Sequence, residues 1–249
     1  MSLVSARGFI AGLKEYSYRG IQQLPIILSA TSFIFTIATG SIAHLNLAIG
    51  LGILMPIYSA IMQALFGFVM PKIAPTLITW KRSTGDTCDL VPSYDHKSLE
   101  YYKTDTNVNL MPVPSFWFMS VAFFIGYSIA NAIDSLNTPP APNSDPIHVE
   151  QRNTKAIFLM VSIGVFFAIV LGIRFIYMRG CEGRGVIGIV LSIVSALGAF
   201  GIGNGMYTLS RACGGRSSDL YGILSQMISS GYGAPSNTGK PAPIVCSAE

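Results

Sequence analysis

Three histidines, four cysteines and one glycine-rich stretch are the residues of this chain with the means to do chemistry. His44, His96 and His148 lie on three separate segments. A metal site gathers three or four such ligands at one point, so each histidine reads as an isolated surface or interface residue. The stretch "GCEGRG", residues 180–185, has the glycines of a phosphate cradle. It lacks the strand, lysine and hydroxyl residue of a P-loop, and reads as a turn. H-E-x-x-H and G-x-S-x-G are also absent from the sequence. The expectation is a protein without catalytic residues, metal or cofactor.

A second kind of chemistry is transport, which requires polar groups inside apolar segments. Pumps and coupled carriers keep ionisable residues at mid-membrane depth, and this sequence places none there. Gln63, Asn131 and Asn204 are the polar residues that could line a solute cavity. Within apolar helices such residues more often bond a neighbouring helix.

The elements that would position these groups are written in the charge pattern. Only 11% of the residues are charged and 51% are hydrophobic, whereas soluble domains carry about a quarter charged residues. From Gly20 to Pro71 runs a stretch of 52 residues without Lys, Arg, Asp or Glu. About 20 apolar residues cross the hydrocarbon layer, so this stretch suffices for two spans. It breaks at "TGSIAHLN", which predicts spans from Leu24 to Ala43 and from Leu47 to Met70. A third span has "VPSFWFMSVAFFIGYSIANAI" as its core, a fourth runs from Ala156 to Tyr177, and "GVIGIVLSIVSALGAFGIGNGMY" is the fifth. Arg174 stands in the last turn of the fourth, from where its side chain should snorkel to water. The fold expected is all-α, a polytopic helical membrane protein with about five transmembrane helices.

The chain then divides into an amino-terminal segment 1–23, a hairpin 24–70, a polar loop or small cap 71–112 and span three at 113–133. A proline-rich linker 134–155, a second hairpin 156–208 and a juxtamembrane region 209–249 complete it. Residues 2–19 have the spacing of an interfacial amphipathic helix. Ser217 or Ser218 could cap a short surface helix with Asp219 in its first turn and Leu220, Ile223, Leu224 and Met227 on one face. The linker 134–155 should be extended and exposed.

Five spans put the termini on opposite faces. The face holding the amino terminus and the loop after span two carries eleven Lys and Arg residues with Arg174 included, against five on the other face. The positive-inside rule makes the richer face cytosolic. Cys88 and Cys181 then share that face, and Cys213 and Cys246 the other. Only 88 with 181 and 213 with 246 could pair without crossing the bilayer, and four free thiols in a reducing compartment is the alternative.

Ser192, Ser195, Ala196, Ala199, Gly201, Gly203 and Gly205 recur at four-residue steps along the fifth span. Small side chains at that spacing let another backbone approach closely. The neighbour expected is span four, tied to it by the short turn, with a second copy or another protein as the alternatives. Lys81, Lys97 and Lys103 in the loop, and Arg211, Arg216 and Asp219 beyond span five, are the residues available for docking a partner.

The block from span three onward, ending in "NGMYTLSRACGGRSSDLYGILSQM", resembles small multi-span virion membrane proteins of large icosahedral double-stranded DNA viruses, particularly those infecting algae. The resemblance implies a minor capsid or virion membrane protein whose loops tether an internal bilayer to a shell protein. Its partners would be lipid, a coat or shell protein and copies of itself, with no nucleic acid. A channel or carrier for a small solute and a membrane assembly factor are the competing expectations.

Overall fold

The computed structural model describes residues 16–17, 19–84, 88, 109–139, 146–178, 180–214 and 220–221. It is mostly helical, with one short β ribbon. Helix α1 is Leu24–Thr39, with Pro25 in its first turn, where a missing N–H is tolerated. It ends at Gly40, whose φ of 65° is left-handed and whose N–H reaches the Thr36 carbonyl at 2.8 Å. The hydroxyls of Thr31, Ser32, Thr36 and Thr39 each donate to a carbonyl four residues back. Their polarity is thus satisfied within the helix, as an apolar medium demands.

Helix α2 follows at once and is Ile42–Ile73, 32 residues long. The break is therefore confined to Gly40 and Ser41. His44 and Asn46, expected in the turn, are helical, and the His44 ring lies 5.5 Å from that of Phe35. One turn of α2, Gly50–Leu54, is a π-helix. It ends two residues before Pro56, and so contains Gly52, whose carbonyl the proline ring would crowd in a regular helix.

Beyond α2, strands β1 (Lys81–Thr84) and β2 (Asn109–Pro112) pair antiparallel, with Lys81 opposite Pro112 and Thr84 opposite Asn109. They lie in the expected cap, and among the described residues they are the strands that depart from an all-α chain. Helix α3, Phe116–Asn137, is N-capped by Ser115, whose Oγ accepts from the Phe118 N–H at 3.1 Å.

Helix α4 is Pro146–Tyr177 and begins ten residues before the expected span. The prolines predict an extended linker, yet Pro146 sits at the helix start, where proline fits. Arg152, expected in an exposed strap, is buried and donates from Nη1 to the Thr138 carbonyl at 2.7 Å. Helix α5 is Val186–Gly214.

Helix α3 forms the hub, with buried residues along its whole length from Trp117 to Ser135. Helices α2, α4 and α5 pack against it. The main neighbour of α5 is thus α3 and not α4, a correction to the sequence reading. The short turn ties α4 to α5 at one end only, while Gly203 of α5 lies against the backbone of α3 at Phe123 and Gly126 of α3 against the backbone of α5 at Phe200. A Cβ on Gly126 would collide with the Phe200 carbonyl oxygen, and one on Gly203 with that of Phe123.

Away from the hub the helices present large apolar side chains such as Phe33, Ile53, Phe158 and Leu197. Among the described residues, four helices are long and apolar enough to cross a membrane: Ile42–Ile73, Phe116–Asn137, Val149–Ile176 and Val186–Ala212. Helix α1 is shorter, 16 residues or about 24 Å at 1.5 Å per residue. Its helical path extends backward, since Gln23 N–H donates to the Arg19 carbonyl at 2.9 Å.

Candidate functional site: a buried ion pair beneath the cap

At the end of α4 the sequence makes a turn that only glycines permit. Gly180 and Gly183 have φ of 89° and 136°. Strand β1 lies along this turn, with Ser83 N–H donating to the Gly180 carbonyl at 2.8 Å and Arg184 N–H to the Lys81 carbonyl at 3.0 Å. A Cβ on Gly188 would meet the Thr79 carbonyl oxygen at 2.7 Å. The cap is thereby pressed against the start of α5.

Glu182, inside this turn, is 3% exposed. Its Oε1 accepts from Arg174 Nε at 2.7 Å, and its Oε2 accepts from Ser115 Oγ at 2.5 Å. Ser192 Oγ donates to its backbone carbonyl at 2.7 Å. One acidic residue therefore joins the start of α3, the end of α4 and the first turns of α5. Arg174 is fully buried, which corrects the expectation that it snorkels to water. The physical reason is that Glu182 and the Trp117 ring, 4.2 Å from the guanidinium carbon, offer it a better site. Trp117 is held in turn, its indole N–H donating to the Ile21 carbonyl at 2.6 Å.

Beside Glu182, Cys181 is bonded to Cys88. This is one of the two pairings that topology allowed. Cys213 falls in the last turn of α5, and Cys246 lies outside the described residues.

A second polar cluster closes the opposite end of the bundle. Asp134 Oδ2 accepts from the Tyr207 hydroxyl at 2.8 Å and from Arg211 Nε at 3.0 Å. Asn131 donates to the Tyr207 oxygen at 3.4 Å and accepts from Leu220 N–H at 3.0 Å. The Tyr221 hydroxyl donates to Ser128 Oγ at 2.9 Å, and burial pushes its pKa up to about 12. Leu220 and Tyr221 are not helical and lie against α3. That corrects the surface helix at these two positions; Ile223, Leu224 and Met227 are outside the described residues.

The three residues that could have lined a cavity stay apart. Gln63 donates to the Pro114 carbonyl at 2.7 Å and to Ser59 Oγ at 3.2 Å, near the cap. Asn131 is consumed at the other end, and Asn204 is exposed on the outer face of α5. A groove of about 490 Å3 between α1 and α2 is lined by none of them. Among the described residues, no group of three His, Cys, Asp or Glu side chains is gathered that could hold a metal ion.

Of the small residues of α5, Ser192, Ser195, Ala196, Ala199 and Gly203 are buried, while Gly201 and Gly205 are exposed with open space beside them. Lys81 lies over the Trp80 ring at 5.3 Å, and Arg211 is paired as above. Lys97, Lys103, Arg216, Asp219 and His96 fall outside the described residues, as does the amino-terminal amphipathic segment apart from residues 16, 17 and 19. The Arg174–Glu182 pair was missed. Its signal was a single arginine in the last turn of a span followed, eight residues on, by the only acid of a short glycine turn.

The chain matches no protein-family model, no curated protein and no solved structure. Fold and site together define its class, a polytopic helical membrane protein in which two ion pairs among the described residues, Arg174 with Glu182 and Arg211 with Asp134, lie at the two ends of the bundle.

Proposed function

We propose that this protein is a structural membrane component that tethers a bilayer to a protein layer, without catalysis and without a transport path. The observation that carries the reading is Glu182. This buried acid at the cap end is spent on fixing three helices to one another. A carrier needs groups that exchange partners, whereas both carboxylate oxygens here are held by partners that are themselves buried. Such an arrangement favours one conformation over alternation between two.

Large apolar faces anchor the bundle in lipid, and the cap offers a polar surface with Lys72 and Lys81 to a partner. By the resemblance noted above, that partner is the shell of a virion and the protein a minor capsid component of an internal virion membrane.

The test reads assembly and transport together. Asn204→Leu and Gln63→Leu variants of a tether are expected to assemble into the native particle or membrane at wild-type levels. Proteoliposomes of the wild type should show no solute flux above lipid alone. Flux that these substitutions abolish would replace the tether with a carrier.

A further inference from the structure

We infer that the cap is the oxidised face of this protein. The membrane is crossed so that the β ribbon, the turn at Gly180 and the start of α1 face an oxidising compartment, opposite to the side indicated by the basic residues. Cys88 and Cys181 are 93 residues apart in sequence and bonded, and they are 7% and 0% exposed. Structural disulfides form and persist in oxidising compartments and are rare in the cytosol. Making this bond removes two electrons and two protons from the two thiols. They pass to a disulfide of a protein donor in that compartment, which leaves as the dithiol.

The bond fixes more than its own position, because one end of the bundle collects the start of α3 at Ser115, the end of α4 at Arg174 and the start of α5 at Ser192. Ile21, before α1, joins them through Trp117. Asp134, Arg152 and Arg211 then belong to the reducing side. The count of basic residues points the other way. Arg174 is neutralised by Glu182, and the loop between α2 and α3 includes Asp86, Asp89, Asp95, Glu100 and Asp105 beside its lysines. A charge bias is a tendency of insertion, whereas the bond requires that both thiols meet an oxidant. The inference goes beyond the tether, since it states on which side any partner of the cap must lie.

The experiment uses full-length protein in sealed microsomes and a membrane-impermeant maleimide. Two single additions, Thr76→Cys beside the cap and Glu150→Cys at the start of α4, are made in a Cys213→Ser, Cys246→Ser background; both positions are exposed. The expected result is labelling of the Glu150→Cys protein in sealed vesicles and of the Thr76→Cys protein only after permeabilisation. In the background protein, two thiols should appear only after reduction. Labelling of the Thr76→Cys protein in sealed vesicles would overturn the inferred orientation. Free Cys88 or Cys181 without reductant would overturn the bond itself. Neither result bears on whether the protein tethers or transports.

Discussion

Arg174 and Glu182 meet at 2.7 Å with 0% and 3% of their side chains exposed, across the turn that joins α4 to α5. Removing one member of a buried pair strands the other charge, which is destabilising by roughly 3–5 kcal/mol. Glu182→Gln should therefore lower the thermal stability of the purified protein sharply. Arg174→Met combined with Glu182→Gln should recover part of the loss, because no lone charge then remains. Equal losses in the single and double variants would show that the pair does not hold the turn.

The closest helix approach, between α3 and α5, makes a contrast among glycines. Gly126→Ala and Gly203→Ala each drive a Cβ into a backbone carbonyl of the facing helix. Overpacking of this kind costs about 1–3 kcal/mol. Gly201→Ala and Gly205→Ala meet open space and should leave the unfolding temperature unchanged or slightly higher. If all four behaved alike in thermal denaturation, α5 would not pack on α3 as described.

At the far end, Tyr207→Phe removes one donor to Asp134 while Arg211 remains in place. A net loss of about 1 kcal/mol is expected for a hydrogen bond to a charged partner half open to water. Asn131→Leu is expected to do more, since Leu220 N–H would be left buried without its acceptor. The check is protease sensitivity near residue 220, which should rise for Asn131→Leu and not for Tyr207→Phe.

The helical class and most helix positions were legible because hydrocarbon imposes one simple demand, a long charge-free run, and four stretches of this sequence meet it. Boundaries drawn on prolines were less secure. Pro146 starts a helix that the linker reading excluded, because proline lacks only an N–H that a first turn does not use. The partner of α5 was misplaced for a related reason. Connectivity pointed to α4, while the decision lay with Gly126, a single glycine among the aromatic residues of α3 whose role appears only when Phe200 is opposite. The Arg174–Glu182 pair was hidden because each residue alone looks like an ordinary membrane flank. Their meeting depends on the left-handed glycines at 180 and 183.

Whether this bundle holds a partner protein against a bilayer, as proposed, is read by crosslinking mass spectrometry on the native membrane or particle. Lys72 and Lys81 report from the cap, with Lys97, Lys103 and Lys240 as further sites along the chain. Abundant links from Lys72 or Lys81 to an abundant coat or shell protein are expected. Links confined to this chain and its own copies would contradict it, and would move the carrier reading ahead of the tether.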